Sequence, residues 1–250
     1  MPPSAAMRQS EREPATEFAD QSDLEALSVL ANYRDWIISR FAPYLRGRIV
    51  EYGAGIGSIS ASLVPYAEGI DLVEPFDMLF TKLSAQFDGV ARVRLYQQTI
   101  AEHANSAADA SYDAAVMVNV LEHIEDDCGA LVELHRILLP GGTLCLFVPA
   151  HQFLYSAYDR LVGHHRRYEL PELRTRVCDA GFEITHARYF DILGVPPWLL
   201  TMRLLKRTRI SSGLALLYDR TAVPVGRTLE SLIAPPFGKN VLLIATKPKS

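Results

Sequence analysis

Val50-Glu51-Tyr52-Gly53-Ala54-Gly55-Ile56-Gly57-Ser58-Ile59 decides the reading of this chain. The stretch extends the apolar run Arg48-Ile49-Val50 and leads into a helix-like segment ending near Leu63-Val64. An apolar run followed at once by three glycines reads as a strand turning sharply into a helix, and such a turn lets a ligand lie against bare backbone. Glu51 stands two positions before the first glycine, and Glu74 closes the next apolar run, Gly69-Ile70-Asp71-Leu72-Val73. An acid at the end of the second strand is placed to accept hydrogen bonds from a ribose diol. The glycine spacing is G-x-G-x-G, which differs from the dinucleotide pattern G-x-G-x-x-G.

Outward from this turn, strand-like and helix-like stretches alternate, which predicts a mostly parallel sheet covered on both faces. Apolar residues at helical spacing from Leu24 to Leu45 predict a leading helix that Arg46-Gly47 ends. Met78 to Phe87 reads as a helix, and Val93 to Tyr96 as a third strand. Tyr112 to Val118 reads as a fourth strand, apolar enough to be buried on both faces. Asp126 to Leu138 reads as a helix stopped by Pro140-Gly141-Gly142, and Thr143 to Val148 as the fifth strand. Leu170 opens a helix ending at Gly181, and Phe182 to Ala187 and Val241 to Thr246 supply the sixth and seventh strands. Residues 1–23 are polar and contain Pro2, Pro3 and Pro14, predicting a flexible segment ahead of a single domain over 24–250.

Composition narrows the function class. At 250 residues the chain can bury a substantial core, and 49% hydrophobic with 22% charged residues is ordinary for a globular enzyme. A net charge of −4 gives no case for nucleic-acid binding, which needs a basic face. Cys128, Cys145 and Cys178 are odd in number and widely spaced, and read as buried reduced thiols in a cytoplasmic protein. No apolar core follows a basic start, so a secretory leader is not expected, and no apolar run approaches the roughly 20 residues that span a bilayer.

The loop with its flanking acids resembles the cofactor loop of class I S-adenosylmethionine-dependent methyltransferases. Other motifs in the same order strengthen the resemblance: Asn32-Tyr33-Arg34-Asp35-Trp36-Ile37 is similar to the family's leading helix, and Asn119-Val120-Leu121-Glu122-His123-Ile124 to its segment after the fourth strand. Leu138-Leu139-Pro140-Gly141-Gly142-Thr143-Leu144 is similar to its turn into the fifth strand. A narrower likeness is Asp159-x-x-x-Gly163-His164-His165-Arg166-Arg167-Tyr168, which resembles a bacterial subgroup met near glycosyltransferases. The resemblance implies a Rossmann-like sheet whose last strand is antiparallel, with S-adenosylmethionine as cofactor and S-adenosylhomocysteine as product.

By the same resemblance, Glu51 organises the methionine end of the cofactor, Gly53, Ala54, Gly55 and Gly57 allow close approach, and Glu74 binds the ribose. Thr99 and Ile100 flank the adenine, Asn119 and Leu121 sit at the rim, and Tyr33 contacts the carboxylate. On the acceptor side, His164, His165 and His123 are candidates for general base, with His164 slightly favoured. Tyr155, Asp159, Arg166, Arg167 and Tyr168 are candidates for substrate contact, since paired arginines clamp carboxylates or phosphates. The competing reading of the arginines is a turn held by ion pairs to Asp159 or Glu169. No metal is expected, because adjacent histidines do not face one ion and no third ligand follows at helical spacing.

Between the sixth and seventh strands an unusually long interval, about 191–239, predicts an insertion of two or three helices. Its first helix carries Arg203, Lys206, Arg207 and Arg209, which suits a lid, a dimer surface or contact with anionic lipid. Leu214 to Leu217 shows no polar face and predicts burial against the cofactor domain or a partner subunit. The expected activity is methylation of an oxygen or nitrogen on a small metabolite or lipid-linked saccharide, by a monomer or homodimer with no nucleic-acid partner. The rival readings are an NAD-type oxidoreductase of the same fold class, a protein or nucleic-acid methylator and a non-catalytic interaction module.

Overall fold

Seven strands form one sheet in a computed structural model that describes residues 30–249: β1 (Arg48–Tyr52), β2 (Gly69–Val73), β3 (Val93–Tyr96), β4 (Tyr112–Val118), β5 (Leu138–Pro149), β6 (Glu183–Phe190) and β7 (Asn240–Thr246). Their order is β3-β2-β1-β4-β5-β7-β6. Pairings from β3 through β5 are parallel, and β7 runs antiparallel to both β5 and β6. The expected flexible segment, residues 1–23, and the start of the expected leading helix, residues 24–29, lie outside the described residues.

Side chains of successive strand residues point to opposite faces, and this alternation divides the core in two. Ile49, Val116, Cys145 and Leu242 pack on one face with Trp36, Ile37 and Phe41 of helix α1 (Ala31–Phe41) and Leu83 and Phe87 of α2 (Asp77–Phe87). Val50, Ala115, Leu144 and Leu243 pack on the other, with Leu131 and Leu134 of a later helix, Asp127–Ile137, and Leu173 and Val177 of another, Leu170–Asp179. α3 (Ile100–Ser106) packs beside the first of these on the same face, its His103 ring against Tyr52, Tyr96 and Tyr112; the later two helices are α4 and α5.

Several elements differ from expectation for local reasons. The leading helix stops at Phe41 and tightens into a 3₁₀ turn over Ala42–Tyr44, because Pro43 has no N–H to continue it. After the glycine turn only Ser60–Leu63 is α-helical before the 3₁₀ turn Val64–Tyr66 that contains Pro65. β5 begins at Leu138, directly after α4. Pro140-Gly141-Gly142 forms an irregularity inside it rather than a stop: the register shifts opposite Tyr112/Ala114, and the Gly141 N–H donates to the Lys247 carbonyl at 2.8 Å. β6 is longer than expected and reaches Phe190. Cys145 is buried, but Cys128 and Cys178 are exposed, since both lie on outward faces of amphipathic helices; all three are free thiols.

The insertion contains a short α-turn, Val195–Trp198, running into a π-helical stretch, Leu199–Leu204, and then one helix, α6 (Ser212–Leu232), which passes through Pro224. Its amphipathicity is inverted. The inward stripe is Ala215, Asp219, Val223, Gly226 and Glu230, whereas Leu214 and Leu217 are 55% and 58% exposed and are not buried against the cofactor domain. The acids explain the inversion. Asp219 accepts from the backbone N–H groups of Asn32 (3.1 Å) and Tyr33 (2.8 Å), capping α1 from a distance where no local side chain does so. Glu230 accepts from Ile192 N–H at 2.9 Å and pairs with Arg188 at 3.3 Å. Buried carboxylates need such partners, so α6 turns its acids inward and leaves its leucines out.

Candidate active site

β1 and β4 lie side by side, but the chain leaves β1 toward β2 and β3 on one flank and leaves β4 toward β5 on the other. Above such a reversal of direction the carboxyl ends of the strands open a crevice. A cavity of about 1800 Å³ occupies that place, and the insertion roofs it. Pockets for one small ligand usually span roughly 300–1,000 Å³, so this one has room for two.

The glycine turn makes one wall. Gly53 and Ala54 N–H groups both donate to the Val73 carbonyl (2.9 and 3.1 Å), which pins the turn to the end of β2. Gly53 has φ +67°, and a Cβ there would stand 2.4 Å from a Val120 methyl carbon, so both conformation and packing demand glycine. Glu74 projects from the end of β2 into this wall. Its Oε2 accepts from Gly55 N–H at 2.8 Å and its Oε1 from Phe76 N–H at 3.1 Å. Burial raises its pKa, and these two bonds oppose that rise. Each oxygen keeps a second lone pair for a hydroxyl donor.

Of the residues expected to hold the cofactor, Tyr33, Gly53, Gly55, Glu74, Thr99, Ile100 and Asn119 line the cavity. Glu51, Ala54, Gly57 and Leu121 are buried and do not line it; Gly57 lies against the side chains of Phe87 and Gln86. Glu51 is pushed up to about 8, first by burial and also by Glu74, with the neighbouring Ser60 opposing. Thr99 caps α3: its hydroxyl and its N–H are both engaged with Glu102, so among its neighbours Gln98 and Ile100 present the free surface. The Tyr33 hydroxyl donates to Asn240 Oδ1 at 3.0 Å, and Lys239 Nζ stands 4.9 Å from the centre of its ring. Asn119 sits at φ +54° at the tip of β4, a conformation asparagine tolerates better than most residues.

The opposite wall comes from two loops far apart in sequence. The 3₁₀ turn Leu121–His123 follows β4, and the segment after a short helix, Ala157–Leu161, folds over it. His165 N–H donates to the Glu122 carbonyl at 2.8 Å, docking the two. Their side chains meet there: the His123 and His164 rings lie 4.6 Å apart at 84°, and His164 Nε2 is 3.9 Å from Glu122 Oε1. Burial, aided by the neighbouring histidines, pushes His123 down to about 3, and burial also lowers His164, so both rings are uncharged at neutral pH. His164 Nδ1 lies 3.0 Å from Asp159 Oδ1. Burial alone would raise Asp159, but His164 and Arg167 hold it down at about 2.

The remaining candidates for acceptor contact divide. Tyr155 and Arg167 line the cavity, although the Tyr155 hydroxyl donates to the His164 carbonyl (2.7 Å) and Arg167 Nε to Asp159 (2.7 Å). Asp159 is fully buried beneath them. Arg166 pairs with Asp127 at 2.8 Å, and the buried Tyr168 hydroxyl donates to Asp127 Oδ2 at 2.8 Å. The arginine-rich segment is therefore a strap whose side chains alternate between two anchors, His164 and Arg167 going to Asp159 and Arg166 and Tyr168 to Asp127. Glu122, Trp198, Tyr218, Lys239 and Asn240 also belong to the site or its surroundings. The last two lie at the start of β7, a position that gives them away once the strand order is known.

The comparisons with known proteins agree with this geometry. A family model described as a methyltransferase domain matches residues 28–187, and the chain belongs to that family. A ubiquinone biosynthesis O-methyltransferase of Aeromonas salmonicida is 31% identical over 163 residues, 59% of this chain and 67% of that protein. One of the same name from Sodalis glossinidius is 29% identical over 112 residues, 43% of each. The chain thus spans between under half and two thirds of these curated relatives. Haemonchus contortus phosphoethanolamine N-methyltransferase 2, in complex with S-adenosyl-L-methionine, shares the fold at a TM-score of 0.59 and 18% identity, over 87% of this chain and 53% of that one. This is a class I S-adenosylmethionine-dependent methyltransferase. The residues present fit that cofactor: Glu51 Oε2, buried behind the glycine turn, has no hydrogen-bond partner among the described residues and suits a cationic amino group, while Glu74 faces the cavity as an acceptor.

Proposed function

We propose that the chain methylates an oxygen or nitrogen of a small amphiphilic acceptor that it takes from a lipid surface. The observation that carries this reading is the mouth of the cavity. Exposed Leu161, Leu214 and Leu217 stand there beside Arg207 and Arg209, and the exposed Leu200, Leu204, Leu205, Arg203 and Lys206 continue the same combination outward. Exposed apolar patches bordered by cations suit an anionic membrane surface or an amphiphile drawn from it. Among the described residues no helix is long and apolar enough to cross a membrane, so the contact would be peripheral. The relatives named for ubiquinone biosynthesis support an oxygen acceptor on a small molecule.

When bound, S-adenosylmethionine supplies a methyl group on a sulfonium, and its product is a neutral thioether. The residues divide the remaining work. Glu74 accepts from the ribose hydroxyls, Glu51 and the glycine turn receive the methionine end, and Gln98 and Ile100 flank the adenine. Tyr33 and Asn240 form the floor toward the acceptor. The loops carrying His123 and His164 hold the acceptor in line and exclude water. Both ring nitrogens of His164 face carboxylates, Nδ1 at Asp159 and Nε2 toward Glu122, so we give the role of proton acceptor to His165 at the exposed edge. The test is transfer of a labelled methyl group from S-adenosylmethionine in an extract separated into lipid and aqueous fractions. Label in the lipid fraction, with flotation of the protein on anionic vesicles, is expected. Label confined to water-soluble compounds would overturn the amphiphile.

A further inference from the structure

We infer that Glu122, His123 and His164 form a site for a divalent first-row transition cation, and that this cation receives the acceptor oxygen. The inference rests on the methyltransferase reading for its chemistry but not for its geometry. One ligand atom from each residue lies within 4.8 Å of the others. With bonds of about 2.0–2.2 Å, two ligands of one ion stand about 3–4.4 Å apart, depending on angle. The 3.9 Å between His164 Nε2 and Glu122 Oε1 is already in that range. His123 offers a ring nitrogen inside the same 4.8 Å limit, its ring near-perpendicular to that of His164 with 4.6 Å between centres.

The surroundings have the form of a ligand set. A metal-binding histidine usually gives its second ring nitrogen to a carboxylate, which fixes its tautomer and orientation. His164 does so with Asp159 at 3.0 Å, and Asp159 is itself held by Arg167 Nε (2.7 Å) and by Ser156 N–H and Oγ (both 2.8 Å). His164 Nδ1 thereby carries the proton, and Nε2 offers its lone pair toward Glu122 and His123. The backbone bond from His165 N–H to the Glu122 carbonyl holds the two loops at this separation. Two imidazoles and one carboxylate select manganese, iron, cobalt or zinc rather than magnesium or calcium, which prefer all-oxygen shells. Three protein ligands leave positions for an exogenous oxygen, and His123 and His164 border the cavity where one would enter.

This narrows the acceptor to an alcohol or phenol, with a second oxygen on the neighbouring carbon improving the fit. A hydroxyl held by the cation is acidified. Its proton passes to water in the cavity, its oxygen forms the new bond to the methyl carbon, and the carbon–sulfur bond breaks with both electrons returning to sulfur. The sulfonium charge disappears as one proton is released, so the step balances.

The experiment uses the full chain stripped with a chelator and titrated calorimetrically with MnCl2 and, separately, ZnCl2. One saturable site per chain is expected. Glu122→Gln and His123→Gln should each weaken Mn²⁺ by more than the roughly 10–100-fold typical of losing an outer partner, and Asp159→Asn by about that amount. S-adenosylhomocysteine titrations of the same samples report on folding and on the underlying reading separately. Wild-type protein that binds Mn²⁺ at these residues but not S-adenosylhomocysteine would refute the methyltransferase reading and leave the metal site standing. Absence of 1:1 Mn²⁺ and Zn²⁺ binding, or binding unaltered in variants that still take S-adenosylhomocysteine, would refute the metal site. A crystal of the wild type soaked in MnCl2 gives an answer that needs no variant. Anomalous density between the three side chains supports the site, and its absence there overturns it.

Discussion

Gly53→Ala tests whether the turn that organises the cavity is held by backbone conformation, by packing or by both. At φ +67° an alanine pays about 1–2 kcal/mol for the left-handed region. Its Cβ would also stand 2.4 Å from one methyl carbon of Val120 and 3.3 Å from the other, an overlap that costs about 1–3 kcal/mol as the side chain or the turn shifts. The sum is about 2–5 kcal/mol of lost stability. The two parts separate in a double-mutant cycle, because Val120→Ala removes the obstruction and leaves the backbone term. In a Val120→Ala background, Gly53→Ala should therefore cost only about 1–2 kcal/mol. Denaturant unfolding of the four proteins measures this, with S-adenosylhomocysteine titration beside it. A neutral Gly53→Ala, or an equal cost in both backgrounds, would show that the turn relaxes freely and that Val120 does not brace it.

Other consequences follow from buried charges and ties. Glu51, raised from 4.5 to about 8 chiefly by burial, binds its proton more tightly in the folded protein, so its favourable contribution is complete below about pH 4.5 and is lost as pH rises through about 8. Glu51→Gln should flatten the pH dependence of unfolding in that window, and an unchanged slope would contradict the burial argument. Tyr168→Phe loses buried bonds to Asp127 (2.8 Å) and the Leu121 carbonyl (3.2 Å) and should cost about 1–3 kcal/mol in a denaturant melt while S-adenosylhomocysteine affinity changes little. An affinity loss as large as the stability loss would make Tyr168 a ligand contact instead of a tie. Asp219→Ala removes the distant cap of α1 and should cost about 2–4 kcal/mol in thermal unfolding. A loss under about 0.5 kcal/mol would mean that the insertion does not hold the leading helix.

What the sequence disclosed was local pattern. The alternation of apolar runs, the glycine turn and Glu74 are all readable within a dozen residues, and the sheet and the glycine-turn wall of its cavity were legible from them. Partnerships between distant segments were not. Nothing local to Asp219 announces that it caps α1, so α6 reads as a helix to be buried on its leucines when its acids face inward. The same limitation hid the Glu122–His123–His164 cluster, whose members come from two loops joined by a backbone bond. Arg166 and Tyr168 carry the chemistry of a binding site in sequence, yet Asp127 takes both, a competition visible only once α4 is placed beside the strap. Lys239 and Asn240 gain their place from β7 inserting between β5 and β6, which no periodicity encodes.

The central claim is that the glycine turn and Glu74 form the wall against which S-adenosylmethionine binds, and calorimetry with S-adenosylhomocysteine on wild-type protein and Glu74→Ala tests it most directly. One saturable site is expected in the wild type, with no heat from NAD. Loss of a charged acceptor should weaken the variant by about 1.5–3 kcal/mol, roughly 10- to 150-fold in affinity. Equal affinity in both proteins, or tight binding of NAD with none of S-adenosylhomocysteine, would contradict it.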